Sequence, residues 1–376
     1  MITLKGKTKN IKDSIVCKIA LESTNVINPY PTFLYTSQIP EKLGSFNGII
    51  LNSNDSWNES LDISVAQIDS KEDFFKEGDI ALISPNGYIS CLFQSQSYTN
   101  SLFLTEKCSC KCIMCPQPPK NKDTIDYVDI AIRSVKLMNG NIKELGITGG
   151  EPTIVWSGLL DVIKTCKQYI PNTNIQLLTN ARIFKDYEKA KNLADAAGER
   201  LYVGVPLYAD YDDLHDKIVG RKGSFWDTLD GIYNLERAGV FIELRTVITK
   251  MNYMRLPQFA EFIYRSMPFV GHIALMALEP IGWADKNIEE IWIDPIDYSS
   301  EIENAVKILW QRDMNISLYN YQLCLIPKHL WHFYRKSISE WKIIYKEECE
   351  QCSVKQDCGG FFFSTRKIKY KGINPI

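Results

Sequence analysis

The chain has 376 residues, and its 43 Lys and Arg nearly balance its 45 Asp and Glu, for a formal net charge of −2. With 45% hydrophobic and 23% charged residues, the composition indicates a folded globular protein and excludes disorder of the whole chain. The lack of a basic excess disfavours nucleic-acid binding. The 11 cysteines, an odd number without an apolar export segment, disfavour a disulfide framework.

No membrane span is expected either. The longest uncharged stretch of the second half, residues 266–278, is too short to cross a bilayer. We therefore expect a cytoplasmic protein.

Residues 1–99 are predicted to form a β-rich N-terminal domain. Short apolar runs at 15–21, 48–51 and 63–68 are separated by Asn, Ser, Asp and Pro. Two further runs, 81–84 and 88–93, flank Pro85-Asn86-Gly87, where glycine can take the positive φ that a hairpin turn needs.

The pattern changes at residue 100, and residues 100–320 are predicted to form an α/β core. The strand candidates are 102–105, 144–148, 175–179, 202–207, 241–248 and 273–277. Two helices between strands are predicted at 126–138 and at 225–238, the second ending at Gly239. Six βα repeats indicate a parallel sheet or a partial (β/α)6 TIM-like barrel, in which ligands bind at the carboxyl ends of the strands.

The C-terminal part begins with a helix, predicted at 298–313, and a short strand at 316–319. They lead into a small cysteine-rich domain, predicted at 321–376.

Three cysteines with metal-ligand spacing follow the first core strand, as Cys108-x3-Cys112-x2-Cys115. Three thiolates on one tight loop suit three irons of a [4Fe–4S] cluster and leave the fourth iron open to a small molecule. A structural zinc site usually has four protein ligands, so it fits three thiolates less well. Cys110 lies between them at the wrong spacing and is predicted to be unliganded.

A second motif, Gly149-Gly150-Glu151-Pro152, follows the second core strand. Two glycines let a backbone approach a ligand closely. The exposed carbonyl groups and the carboxylate of Glu151 suit an ammonium group.

Together, the two motifs resemble those of the radical S-adenosylmethionine (SAM) superfamily, including hydrophobic Met114 before the last cysteine. The resemblance implies a [4Fe–4S] cluster on the three cysteines and the amino group of SAM at residues 149–152. It implies ribose contacts at Thr179 and Asn180, and pairing of the SAM carboxylate with Arg245. It assigns no acid or base: His215 could equally cap a helix, and Glu279 could equally be satisfied by a neighbouring lysine or the backbone.

A second group of cysteines lies in the tail, as Cys349-x2-Cys352-x5-Cys358, with Cys324 standing 25 residues earlier. Four thiolates can close a metal site, and the spacing alone leaves zinc and iron–sulfur equally open. After a radical SAM core, the spacing resembles the auxiliary-cluster domains of the SPASM and shorter Twitch types. That resemblance implies a second [4Fe–4S] cluster.

Several segments also resemble one family, the C-type radical SAM maturases of the His-Xaa-Ser repeat system. They are residues 102–106, 115–119, 274–279, 292–295, 337–342 and 349–363. The resemblance implies a SAM-derived 5′-deoxyadenosyl radical that abstracts hydrogen from a repeat-bearing peptide or protein, giving an oxidative change such as a cross-link. It implies a second radical SAM protein and a small accessory protein as partners. A reductase, flavodoxin or ferredoxin would be the electron donor.

Two other classes stay open at this stage. One is a radical SAM enzyme that acts on a small molecule, a cofactor precursor or RNA. The other is a non-enzymatic zinc or iron–sulfur module, which would have no use for an ammonium-binding turn.

Overall fold

A computed structural model of the chain describes residues 2–21, 30–40, 44–52, 63–68, 74–138 and 142–376. The chain divides into two compact units. Unit 1 comprises Met1–Leu104, Thr124–Ile147 and Val155–Ile175, and unit 2 comprises Thr105–Asp123, Thr148–Ile154 and Gln176–Ile376. The domain boundaries expected after residues 99 and 320 stay predictions.

Unit 1 contains a mixed eight-stranded sheet. Its strands are β1 Ile2–Lys5, β2 Lys7–Lys9, β3 Ile15–Ala20, β4 Thr32–Thr36, β5 Gly48–Asn52, β6 Ser64–Ile68, β7 Ile80–Ile83 and β8 Tyr88–Phe93. In spatial order they read β1-β8-β7-β3-β4-β5-β6-β2. The two end strands, β1 and β2, are consecutive segments joined at Gly6, so one chain segment pairs with both edges and the sheet closes on itself.

Gly6 lies at this junction because a Cβ there would overlap the carbonyl oxygen of Gln67. The interior of the closed sheet is apolar, with Ile19, Ile50 and Ile83 fully buried. β7 and β8 form the hairpin expected around Gly87, whose φ is +84°. The β-rich prediction for the N-terminal region is therefore confirmed for the described residues.

A second eight-stranded sheet contains the predicted core strands. Its members are β9 Ser101–Phe103, β10 Glu144–Thr148, β11 Asn174–Leu178, β12 Leu201–Pro206, β13 Phe241–Ile248, β14 His272–Ala277, β15 Ile316–Tyr319 and β16 Tyr334–Arg335. Their order is β16-β15-β14-β13-β12-β11-β10-β9, the reverse of chain order. The pairs from β12 to β16 are parallel. The six predicted core strands are confirmed, and β15 and β16 extend the sheet.

Helices connect the parallel strands, as an α/β fold requires. They are α1 Tyr127–Leu137, α2 Trp156–Tyr169, α3 Tyr187–Ala197, α4 Asp212–Val219, α5 Ser224–Arg237, α6 Leu256–Ser266, α7 Trp283–Lys286, α8 Ile288–Ile291 and α9 Ser299–Trp310. Asp126 caps α1 by accepting a hydrogen bond from the Asp129 N–H at 3.0 Å. Gly239 follows α5 with a φ of +75°, so the predicted helix end is confirmed.

Short 3₁₀ segments and one small hairpin complete the chain. The 3₁₀ segments are Pro152–Val155, Arg182–Lys185, Gly198–Arg200, Tyr253–Arg255, Pro295–Tyr298, Leu323–Leu325, Lys328–Phe333, Glu340–Lys342, Glu347–Gln351 and Phe363–Thr365. In the tail, β17 Ile343–Ile344 pairs antiparallel with β18 Phe361–Phe362. Among the described residues, no helix has both the length and the apolar character that crossing a bilayer requires.

Candidate active site

Unit 2 contains a cavity of about 370 Å³ at the carboxyl ends of its parallel strands. Most of the predicted site residues line it: Cys108, Cys112, Met114, Cys115, Gly149, Gly150, Glu151, Thr179, Asn180 and Arg245. Among the residues predicted to hold the first cluster or SAM, the exception is Pro152, which is buried at the start of a 3₁₀ segment and does not line the cavity. Two motifs far apart in sequence therefore meet in one site.

The cysteine loop is fixed by contacts at both of its flanks. The carboxylate of Asp123 accepts a 2.9 Å hydrogen bond from Oγ1 of Thr105. Further along the loop, the N–H groups of Lys111 and Ile113 donate to the last carbonyl groups of α4, each at 2.9 Å. Gly220 ends α4 with a φ of +64°, which lets the loop approach this helix end.

The three predicted ligand thiols are largely shielded from water. Burial raises the pKa of Cys112 and of Cys115, which favours the protonated thiol until a metal binds. Cys110, predicted to be unliganded, also lines the cavity, and its N–H points at the sulfur of Cys108 across 3.4 Å. N–H groups directed at sulfur stabilise the negative charge of a thiolate cluster.

The donor set fits an iron–sulfur cluster better than a single ion. Among the residues that the structure describes, no three His, Cys, Asp or Glu side chains surround one common metal-ion position. Thiolates of a [4Fe–4S] cluster each bind a different iron, so their sulfurs need not converge on one position. Three thiols that line one cavity satisfy this requirement.

The Gly-Gly turn packs against the strand end that leads into the cysteine loop. The Gly150 N–H donates to the carbonyl oxygen of Thr105, and the Glu151 N–H donates to that of Lys107, both at 2.7 Å. A Cβ at Gly150 would overlap the Lys107 carbonyl group, and one at Gly149 would lie 2.8 Å from the Thr105 oxygen. The two glycines therefore allow close approach to this segment as well as to any ligand.

The carboxylate of Glu151 accepts hydrogen bonds from other residues of the protein. Its Oε1 accepts 2.7 Å hydrogen bonds from the hydroxyl groups of Thr153 and Thr179, and its Oε2 accepts one from the Asn180 N–H. Burial raises the pKa of Glu151, while these hydrogen bonds act in the opposite direction. The structure thus shows that Glu151 holds the segments of Thr153, Thr179 and Asn180 together. Its contact with the SAM amino group stays a prediction.

Arg245 belongs to a polar network beneath the cavity. Its guanidinium pairs with Oε1 of Glu243, whose Oε2 lies 2.7 Å from Nδ1 of His272. The other ring nitrogen of His272 is 2.9 Å from the hydroxyl of Ser317. Burial opposes ionisation of Glu243, but the hydrogen bond from His272 and the charge of Arg245 hold its pKa below the ordinary value. Gly204 makes room for the arginine stem, because a Cβ there would lie 3.0 Å from its Cδ.

Residues outside the two motifs also line the cavity. Val247, Met276 and Leu278 form its apolar part, and Glu279 lies beside them. Oε2 of Glu279 pairs with Nζ of Lys342 at 2.9 Å, so of the alternatives left open for this carboxylate the structure shows a neighbouring lysine. Alternation along the strands could have identified Val247 and Met276 as inward-facing. Nothing in the sequence pairs residue 279 with residue 342.

His215 lies inside α4 and does not cap it, so the helix-capping interpretation is wrong. Its ring is 1% exposed, stacks on Tyr208 and accepts a 3.3 Å hydrogen bond from the Tyr208 N–H at Nδ1. Burial lowers the pKa of His215 to about 4. A neutral imidazole here supports the cavity wall from behind, since Tyr208 itself lines the cavity.

The tail thiols interact electrostatically with one another. Burial, together with the nearby thiols of Cys358 and Cys349, raises the pKa of Cys324 to about 11. Burial also raises the pKa of Cys349, and Cys358 and Cys352 add to the effect. Cys324, distant in sequence from the other three, therefore lies within electrostatic range of Cys349 and Cys358. Among the described residues the tail thiols do not surround one common metal-ion position, so they fit the separate irons of a cluster better than a single zinc ion.

A parallel α/β sheet with a three-cysteine loop and a Gly-Gly-Glu-Pro turn at its strand ends defines an iron–sulfur enzyme that uses SAM. Residues 102–263 match the family model of the Radical SAM superfamily. The chain thus contains a domain of the radical SAM superfamily over these residues.

Comparison with known proteins agrees with this assignment. The antilisterial bacteriocin subtilosin biosynthesis protein AlbA of Bacillus subtilis is 25% identical over 162 residues, 42% of this chain and 35% of that protein. The GTP 3′,8-cyclase of Helicobacter pylori is 30% identical over 152 residues, 39% of this chain and 46% of that protein. Among solved structures, native anSMEcpe with bound AdoMet has a TM-score of 0.51 at 14% identity, covering 74% of this chain and 92% of that one.

The extent of these matches limits what they imply. The chain spans less than half the length of these two curated relatives. The structural likeness, at 14% identity, shows the fold alone. The substrate must therefore be argued from the residues of this chain.

Proposed function

We propose that this chain is a radical SAM maturase that oxidatively modifies a peptide or protein. The observation that supports this function best is the electrostatic interaction of Cys324 with Cys349 and Cys358, in the same unit as the cavity with the three-cysteine loop. An oxidative modification removes two electrons from the substrate, and a second cluster on the tail thiols would provide an acceptor for one of them.

Two groups of residues would hold the cofactors. Cys108, Cys112 and Cys115 would bind one [4Fe–4S] cluster, and Cys324, Cys349, Cys352 and Cys358 would bind the other. When bound and reduced, the first cluster supplies the electron that cleaves SAM to methionine and a 5′-deoxyadenosyl radical, which abstracts hydrogen from the substrate.

The protein would position SAM and exclude water. Carbonyl groups of the Gly149–Gly150 turn would accept hydrogen bonds from its ammonium group, and Arg245 would pair with its carboxylate. Thr179 and Asn180, held in place by Glu151, would contact the ribose. The buried side chains of Met114 and Tyr208 would keep the reacting region dry.

The cavity lining favours a peptide over a phosphate-rich substrate. Among the described residues that line it, Arg245 is the single Arg or Lys, and its charge is paired with Glu243. A triphosphate or an RNA backbone calls for several cationic contacts. A peptide that bears His-Xaa-Ser repeats, the substrate class implied by the resemblance, needs none.

The second candidate is a radical SAM enzyme that acts on a small molecule. Similarity to the GTP 3′,8-cyclase of Helicobacter pylori, which by its name acts on a nucleotide, favours it. The nearly cation-free cavity opposes it. The cavity lined by both the cysteine loop and the Gly-Gly turn argues against a non-enzymatic metal module, which would have no use for an ammonium-binding turn.

Anaerobic reconstitution followed by an iron and zinc count tests the proposal first. We expect about eight irons per chain, two [4Fe–4S] clusters, and release of 5′-deoxyadenosine from SAM under reducing conditions. Incubation with a synthetic His-Ala-Ser repeat peptide should then give a product that is lighter by two hydrogens in mass spectrometry. About four irons and one zinc would contradict the oxidative outcome, and absence of SAM cleavage would contradict the activity.

A further inference from the structure

We propose that Glu279, Trp341 and Lys342 form the substrate-binding rim of the cavity and accept an imidazole side chain of the peptide. This inference rests on the proposed function and specifies which substrate group the site recognises. The three residues are called the rim below.

The geometry places a carboxylate, an ammonium group and an indole in sequence from the cavity outward. Glu279 lines the cavity and Lys342 Nζ lies 2.9 Å from its Oε2, with the two side chains 18% and 24% exposed. The same Nζ is 5.2 Å from the ring centroid of Trp341. That tryptophan is 57% exposed, although a large apolar ring gains by burial.

The backbone beneath the rim is fixed. Asn320 follows β15 with a φ of +68°, which is uncommon for a residue other than glycine. Its Nδ2 donates to the carbonyl oxygen of Ala277 at 3.1 Å, and its Oδ1 accepts from the Ser337 hydroxyl at 3.0 Å. These bonds tie the strand end that carries Glu279 to the segment that leads to Trp341. The backbone near the rim is therefore held in place before a substrate arrives, which lowers the entropic cost of binding.

The rim matches an imidazole in chemistry. Among the described residues, Lys342 occupies Oε2 of Glu279 and no donor occupies Oε1, so this oxygen is left for an N–H from the substrate. A flat ring can stack on the exposed indole. Lys342 reduces the net charge at the rim, which favours a neutral imidazole over a lysine or arginine side chain. The carboxylate repels phosphate, which disfavours nucleic acid as the occupant.

Binding of a labelled peptide tests the rim on the reconstituted holoenzyme. The probes are a fluorescein-labelled peptide of four His-Ala-Ser repeats and a matched peptide with Leu in place of each His, measured by anaerobic anisotropy. The wild type should bind the His peptide about tenfold more tightly than the Leu peptide, because leucine has no N–H to donate and a hydrogen bond to a carboxylate has about this effect. Glu279→Gln should remove most of that preference, and Trp341→Ala should weaken binding several-fold.

Two matched controls lie outside the rim. Glu261 also forms ion pairs, with Arg265 and Arg312, and Trp310 is 59% exposed, but neither lines the cavity. Glu261→Gln and Trp310→Ala should bind both peptides as the wild type does. If Glu279→Gln and Glu261→Gln bind the peptides equally well and both keep the preference for His, the proposed rim is wrong while the proposed function stands.

The same experiment separates the rim from the proposed function. A wild type that cleaves SAM but binds neither peptide would overturn the rim and the substrate class together. A wild type that binds the His peptide through the rim but does not cleave SAM would support the rim and contradict the radical activity.

Discussion

Thr179 donates a hydrogen bond from Oγ1 to Oε1 of Glu151 across 2.7 Å, and both residues line the cavity. The bond joins the turn after β10 to the end of β11. Since Oε2 of the same carboxylate accepts from the Asn180 N–H, one buried group sets two predicted SAM-contacting regions relative to each other. A cofactor that contacts both regions is therefore bound by a preformed site.

Glu151→Gln tests this bracing role. The amide has one acceptor oxygen instead of two, so at least one buried donor of Thr179 or Asn180 would lose its partner. We expect the free energy of unfolding to fall by about 2 kcal/mol and SAM binding to weaken at least tenfold, measured by denaturant unfolding and equilibrium dialysis. Glu236→Gln, an exposed change on α5, should alter neither. Wild-type SAM affinity in Glu151→Gln would show that the carboxylate does not organise the site.

Gly150→Ala tests whether the Gly-Gly turn must lack side chains so that the cysteine loop can pack against it. A second glycine variant measures the effect of backbone strain alone. The added methyl group would overlap the carbonyl group of Lys107 and push the cysteine loop from its position. We expect a stable protein that retains only the tail cluster, about four irons. Gly239→Ala is the comparison variant, because its φ of +75° is unfavourable for alanine but nothing lies within 4 Å of the added Cβ. It should lose about 1 kcal/mol of stability and bind the full complement of iron.

Much of the fold and the positions of the two motifs follow from the sequence, because strand alternation and cysteine spacing are local patterns. The roles of individual side chains do not. The carboxylate of Glu151 was expected to face a ligand, yet its partners Thr153 and Thr179 depend on how the strand ends pack. The network of Glu243 and His272 joins neighbouring strands whose register no local pattern encodes. His215 illustrates the same limit, since its burial inside a short helix depends on contacts with Tyr208.

Cys112→Ala tests the assignment of the first cluster. The thiol is partly buried and lines the cavity, and its loss leaves two of the three predicted ligands. We expect about four irons to remain, in the tail, and no cleavage of SAM. Cys166→Ala removes a fully buried thiol, on α2 and outside the cavity, and should keep both clusters and the activity. Full activity in Cys112→Ala would refute the assignment.

Cys352→Ala tests the metal of the tail. If the four thiols bind a [4Fe–4S] cluster, the variant should lose about four irons, retain SAM cleavage and fail to oxidise the peptide. Loss of zinc at an unchanged iron count would instead show a structural zinc site. Elemental analysis of the reconstituted variant and of the wild type distinguishes these outcomes.

His215 predicts a specific dependence of stability on pH. Its pKa is about 4 in the folded chain and about 6.5 in an unfolded one. Below pH 6.5 the unfolded chain therefore binds a proton that the folded chain excludes, so stability falls as the pH drops. The loss approaches about 1.4 kcal/mol per pH unit between the two pKa values and is absent above pH 7.5.

His215→Asn isolates this contribution, because its Oδ1 can accept the Tyr208 hydrogen bond in place of Nδ1 but does not titrate. Denaturant unfolding of both metal-free proteins at pH 7.5 and 5.5 gives two changes in the free energy of unfolding. Subtracting one change from the other removes the contributions of the titratable groups that the two proteins share. We expect the wild type to lose about 1.3 kcal/mol more than the variant over this interval. Equal losses would mean that the imidazole takes up a proton without unfolding, and that the wall behind Tyr208 is open to water.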